Sequence, residues 1–131
     1  SVPSFTELRR EGLDAERWNM LNPEQKPRIS YVEECLAKTE GPVVASTDYM
    51  KAFADQIRNF VPRRYIALGT DGYGRSDSRE ALRSFFEVDR YYVVLAALKA
   101  LADDGKIPAS KAAEAIKKYK IDSKRPNPTS V

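Results

Sequence analysis

Two stretches decide the reading of this chain: Val43-Val44-Ala45-Ser46-Thr47-Asp48 and Tyr65-Ile66-Ala67-Leu68-Gly69-Thr70-Asp71. Each is a short apolar run, rich in β-formers and bounded by turn residues, that closes on a threonine and an aspartate. Between them Tyr49, Phe53, Ile57 and Phe60 recur at nearly every fourth residue until Pro62, the period of an amphipathic helix. A helix joining two strands predicts a parallel pair in a right-handed βαβ unit. The fold class expected is α/β: a short, mostly parallel sheet flanked by helices.

Working outward, residues 4 to 21 read as helical through Phe5, Leu8, Leu13, Trp18 and Leu21, with Gly12 expected to break them into two shorter helices. Pro23 and Pro27 mark a connector, and Tyr31, Val32, Cys35 and Leu36 fall at helical spacing before Gly41-Pro42. Downstream, Asp77 with Glu80 has the pattern of a capping box for a helix to about Phe86, and Asp89 is placed to cap another. The body of that next helix, Tyr91 to Ala102, is apolar almost all round, which predicts burial, with Gly105 ending it in a left-handed conformation. Pro108 suits a first turn, and Ala109, Ala112, Ala113, Ile116 and Tyr119 form a stripe opposite Lys111, Lys117 and Lys118. Residues 123 to 131 are expected as a frayed or extended tail of one domain spanning residues 1 to 131.

Composition bounds the function. With 131 residues, 42% hydrophobic and 31% charged, the chain has the profile of one globular domain. The longest apolar run, Tyr91 to Leu98, is far shorter than the roughly 18 residues that cross a bilayer, so no membrane segment is expected. Neither a signal peptide nor a second cysteine is visible, which points to a cytoplasmic setting with Cys35 as a buried, inert thiol. Residues 106 to 131 carry seven Lys/Arg against two acids, yet they lack the basic stripe with interleaved aromatics that nucleic-acid binding requires, so nucleic acid is not an expected partner.

The richest segment follows the second strand. In an open α/β sheet, ligands and partners meet the carboxyl ends of the strands, and two parallel strands put Thr47-Asp48 and the loop from Gly69 to Arg79 on one such edge. Gly69, Gly72 and Gly74 give that loop freedom to turn, and Arg75, Ser76 and Arg79 stand where a helix begins, so an anion could bind there. The glycine spacing fits neither the phosphate loop nor the dinucleotide fingerprint. The competing reading is a tight strand-to-helix turn in which Asp71 and Arg75 shape the loop or a neighbouring surface. Asp48, Asp71 and Asp77 could gather as a metal or acid/base group, but capping accounts for Asp77 and fits Asp48. A chain with no histidine has no imidazole base and no Ser/His or Cys/His nucleophile.

The stretch Leu68-Gly69-Thr70-Asp71-Gly72-Tyr73-Gly74-Arg75-Ser76-Asp77-Ser78-Arg79-Glu80, continuing to Phe86-Glu87-Val88-Asp89, resembles the carboxy-terminal region of the homodimeric pyruvate dehydrogenase (acetyl-transferring) family. The segments Phe5 to Asp14, Arg17-Trp18-Asn19, Pro42 to Lys51 and Asn127-Pro128 agree in order, so the resemblance covers nearly the whole chain. It implies a transketolase-like fold and a bacterial, cytosolic homodimer. The implied parent enzyme uses thiamine diphosphate and magnesium to decarboxylate pyruvate and to acetylate the lipoyl group of a dihydrolipoyl acetyltransferase partner. The thiamine signature is absent: Thr70-Asp71-Gly72 is superficially similar, but no Asn-Asn pair follows it. No catalytic, cofactor or metal residue is therefore carried over.

What remains as a candidate interface or anion loop is Thr47 and Asp48 with Gly69, Thr70, Asp71, Gly72, Tyr73, Gly74, Arg75, Ser76, Asp77 and Arg79. Ser1-Val2-Pro3 resembles the end of a strand whose partners lie upstream, so an uncovered sheet edge and self-association are expected of the isolated chain.

Overall fold

A computed structural model describes residues 1–131. Its first element is a single helix, α1 (Phe5–Leu21), opened by Ser4, whose Oγ accepts the Glu7 N–H at 3.2 Å, and closed by Asn22, whose amide donates to the Trp18 carbonyl at 2.9 Å. The expected break at Gly12 does not occur. Gly12 is buried mid-helix, and a Cβ there would lie 2.7 Å from the Phe60 ring. Close packing against an aromatic face, and not chain flexibility, is what the glycine supplies.

The connector after α1 is pinned to it at three points. Asn19 exchanges two hydrogen bonds with the backbone of Arg28, donating to its carbonyl at 2.9 Å and accepting its N–H at 2.7 Å. The Arg28 guanidinium lies 4.0 Å from the centre of the Trp18 ring, and Glu11 accepts the Tyr31 N–H. Helix α2 (Tyr31–Leu36) then starts at Ser30, whose buried hydroxyl caps Glu33. Cys35 is exposed on α2, so the expected buried thiol is corrected: the short helix turns Val32 inward and leaves Cys35 outside.

Strands β1 (Val43–Ser46) and β2 (Tyr65–Leu68) form a two-stranded parallel sheet in the register Val43↔Tyr65 to Ser46↔Leu68. Val43 and Ala45 with Tyr65 and Ala67 share one face, which packs on Val32, Ile57, Phe60 and Val61 under α1 and α2. Ser46, on the alternate face, donates to the Val88 carbonyl at 3.2 Å and so marks the side reached by the segment that leads into the fifth helix.

The helix expected to run from Tyr49 to Phe60 is cut in two, α3 (Lys51–Asp55) and a 3-10 turn at Arg58–Phe60. A continuing α-helix would offer the Ala54 carbonyl to the Arg58 N–H. Instead Ala54 accepts the Tyr65 hydroxyl at 2.7 Å, and the Arg58 side chain bridges to Asp55 and to the Tyr65 carbonyl. The tighter turn still delivers Ile57 and Phe60 to the core.

Helices α4 (Arg79–Phe85), α5 (Arg90–Asp103) and α6 (Ser110–Lys118) complete the chain. Asp89 caps α5 as expected, accepting the N–H groups of Tyr91 and Tyr92. The cap of α4 is Ser78, not Asp77; its hydroxyl accepts the Ala81 N–H, while Asp77 accepts the N–H of Ser78 itself. All three helices end alike, with a residue at positive φ whose successor bonds back five residues: Glu87 (φ 62), Gly105 (φ 72) and Lys120 (φ 55), followed by Val88 to Arg83, Lys106 to Leu101 and Ile121 to Ile116. The sequence flagged only the glycine.

Three further expectations are amended. Of Tyr91 to Ala102 only Ala100 is buried, so α5 is half-covered and not enclosed. On α6 the buried residues are Ala112 and Ala115, while Ala109 and Ala113 face out. Residues 123 to 131 return to the body: Arg125 donates to the carbonyls of Ser84 and Phe85 and to the Tyr92 hydroxyl, and Pro128 is buried in a terminal 3-10 turn, Pro128–Ser130.

Candidate functional site

The carboxyl ends of β1 and β2 are fastened to each other by backbone and hydroxyl bonds. The Thr47 N–H donates to the Leu68 carbonyl at 3.0 Å and the Thr70 N–H to the Tyr49 carbonyl at 2.9 Å; the Thr70 hydroxyl donates to the Asp48 carbonyl at 2.7 Å. Gly69 is buried between them, where a Cβ would lie 2.6 Å from the Lys51 nitrogen and 2.8 Å from the Tyr49 oxygen. Only a residue without a side chain lets the two loops approach this closely.

The three aspartates do not gather. Asp71 accepts the Lys51 N–H at 2.8 Å and so ties the second loop to the start of α3. Asp48 faces Arg83 of α4 in a two-point pair, 2.8 and 3.2 Å, and the Arg83 hydrogen bond holds its carboxyl below the usual carboxylate range, against a smaller opposing effect of partial burial. Asp77 stays within its own turn. No group of three or more His, Cys, Asp or Glu side chains is arranged to hold a metal ion.

The remaining candidates divide between contact and exposure. Gly72 has φ 116 and abuts the tail, with a would-be Cβ 2.6 Å from the Pro128 carbonyl oxygen. The Arg75 guanidinium lies 4.1 Å from the centre of the Phe85 ring. Tyr73, Gly74 and Ser76 are exposed, Tyr73 at 76%, and so is Arg79, the first residue of α4. Beside the Gly72 contact lies a polar crevice of about 270 Å³ lined by Lys51, Gly69, Asp71, Glu87, Arg125 and Pro128. Arg125, expected in a loose tail, ties that tail to Ser84, Phe85 and Tyr92; a lone arginine among prolines carries no local signal of a partner some forty residues away.

The sequence model of the transketolase-like TK C-terminal domain family matches residues 1–89, two-thirds of the chain, from α1 through the sheet, the loop and α4. This chain belongs to the transketolase-like TK C-terminal domain family. Within that family domain the matched residues hold both strands and every candidate loop residue, while α5, α6 and the tail fall beyond it.

Similarity to individual proteins extends further, over 129 residues or 98% of the chain. It is 67% identical to the pyruvate dehydrogenase E1 component of Cupriavidus necator, 66% to that of Pseudomonas aeruginosa and 56% to that of Escherichia coli K12. The chain spans only 14% to 15% of the length of these curated relatives.

Proposed function

We propose that this chain is the carboxy-terminal part of a thiamine diphosphate-dependent pyruvate dehydrogenase and serves assembly and interface geometry in that enzyme, with no turnover of its own. The parent decarboxylates pyruvate and passes acetyl to the lipoyl group of a dihydrolipoyl acetyltransferase partner, as a cytosolic bacterial homodimer. The observation that carries this reading is 67% identity over 129 residues to a protein named pyruvate dehydrogenase E1 component.

The residues present here do not fit the cofactor. Thr70, Asp71 and Gly72 hold the loop to its neighbours: Thr70 is bonded to Asp48 and Tyr49, and Asp71 to Lys51. A magnesium diphosphate would need several oxygen donors converging on the metal, and Asp48, Asp71 and Asp77 each face a different partner. No catalytic step is routed through this chain. Its contribution is a loop edge tied by backbone and side-chain hydrogen bonds, with Tyr49 and Tyr73 at 70% and 76% exposure, available to neighbouring protein.

Incubating the purified chain with pyruvate, thiamine diphosphate, magnesium and an artificial electron acceptor is expected to give no product; sustained turnover overturns the reading. A second reading, an anionic ligand or the acyltransferase partner gripped by the 69–79 loop, is favoured by Arg79, which is in no ion pair. Calorimetric titration with an acidic ligand against an Arg75→Ala, Arg79→Ala variant tests it, and heat unchanged by the substitutions removes it.

A further inference from the structure

A second concave surface is formed where α5, α6 and the tail converge; Ser84 and Asp89 are its lining residues within the family match, and the rest lie beyond it. This groove, of about 330 Å³, is lined by Tyr91 and Tyr92 from the start of α5 and by Tyr119, Lys120 and Ile121 from the end of α6. The rings of Tyr91 and Tyr119 lie 4.8 Å apart between centres, at 41° to one another, and give the groove an aromatic floor. Lys120 stands in the left-handed conformation that ends α6, which fixes the wall by backbone geometry.

The charges around the groove are unequal in their commitments. Asp89 is bonded to the N–H groups of Tyr91 and Tyr92, and Asp122 to that of Lys124, so both carboxylates are engaged by backbone. The cations differ: Arg125, which also lines the groove, is paired with Glu87 and donates to the Tyr92 hydroxyl, whereas four others are engaged by no carboxylate. The Arg90 guanidinium lies 4.9 Å from the centre of the Tyr91 ring, Lys118 lies 5.9 Å from that of Tyr119, Lys120 lines the groove and Lys124 follows Asp122. None of the four is in an ion pair.

Helix dipoles do not account for the cluster. They favour Lys118 at the end of α6, but Lys120 and Lys124 lie beyond that helix, and Arg90 occupies the first position of α5, where a cation is disfavoured.

We propose that this groove docks an acidic peptide segment of a partner protein. One aromatic or aliphatic side chain of the segment seats against Tyr91, Tyr119 and Ile121, and its flanking carboxylates meet Arg90, Lys118, Lys120 and Lys124. A nucleic acid fits less well: its continuous phosphates would face Asp89 and Asp122 on the groove wall. A peptide can place carboxylates only where the cations stand.

The test uses the 131-residue chain with the peptide Glu-Glu-Phe-Glu-Glu, followed through the backbone amide signals of Tyr119, Lys120 and Ile121. Binding is expected to shift those signals and to weaken by about tenfold in a Lys118→Gln, Lys120→Gln, Lys124→Gln variant and again at raised salt. These are exposed side chains, so the variant's melting curve should match the parent's. Replacing the peptide phenylalanine by alanine reads the aromatic floor without disturbing the α5–α6 contact, and it too should weaken binding. Equal affinity of the neutralised variant, equal affinity for Gln-Gln-Phe-Gln-Gln, or tighter binding of an oligothymidylate strand overturns the proposal.

Discussion

Helices α1 and α5 contrast in a way that their compositions invert. α1 is the polar one, yet Phe5 and Leu8 pack on the cluster of Val32, Ile57, Phe60, Val61 and Tyr65, and Gly12 lets the Phe60 ring touch its backbone. α5 is apolar from Tyr91 to Leu98, yet it buries only Ala100, leaving Tyr91 37% and Val94 39% exposed. Apolar content says that a helix can be buried; what packs against it decides whether it is. The stability of the chain should accordingly sit on the α1 side of the sheet.

The largest test of that contrast pairs two truncations. Phe60→Ala, at 7% exposure and in contact with Gly12, should cost about 3–5 kcal/mol in urea unfolding. Val94→Ala, on the open side of α5, should cost under about 1 kcal/mol. Comparable losses would mean that α5 is covered in solution, most simply by a second copy, and sedimentation would then report an oligomer.

A pair of glycines extends the comparison to the backbone. Gly72 has φ 116 and no room for a Cβ beside Pro128, so Gly72→Ala should lose about 2 kcal/mol and loosen the contact between the loop and the tail. Gly105, at φ 72 with open space around it, should lose about 1 kcal/mol on the same change. Hydrogen exchange separates them further. The first change should raise exchange at Ser130, whose N–H donates to Asn127, while the second should leave it alone.

Tyr65 gives the next, smaller effect. Burial pushes its phenol up to about 12, and its hydroxyl donates to Ala54 at the point where α3 ends. Tyr65→Phe should cost about 1 kcal/mol near neutral pH, the worth of one hydrogen bond. Because the folded state holds the neutral phenol above its unfolded value near 10, that stabilisation is complete below pH 10 and is lost as pH rises from about 10 to 12. The urea midpoint of the parent should fall across this window more steeply than that of the variant.

How much of this was legible in the sequence follows from range. The strands and the caps at Asp89 and Gly105 rest on neighbours within a few residues, and the parallel pairing on the helical segment that joins the strands, so all were readable. The continuity of α1 through Gly12 was not, because the reason is a ring forty-eight residues away; nor was the division of α3, set by a hydroxyl from the following strand. The edge that brings Thr47 and Asp48 to the Gly69–Arg79 loop was readable from topology alone. That Asp71 would bind a backbone N–H and Asp48 would meet Arg83 was not, since both partners lie on other elements. Left-handed closings at Glu87 and Lys120 carry no glycine and so no local mark.

The smallest expected effect concerns the Asp48–Arg83 pair and distinguishes a loop edge held by backbone from one held by charge. Both side chains are largely exposed, so solvent screens the pair and its stabilisation should be slight. Its titration is still readable. The Arg83 bond lowers the Asp48 carboxyl below its ordinary value, so the pair contributes above that value and the contribution disappears as pH falls through the lowered one. In Arg83→Gln, carboxyl carbon shifts should show Asp48 titrating at higher pH than in the parent, because the largest lowering influence is gone. Meanwhile the Thr70 and Lys51 amides, bonded to Tyr49 and Asp71, should keep their positions. Movement of those amides together with Asp48 would mean that the ion pair, and not the backbone bonds around Gly69, sets the geometry of the edge.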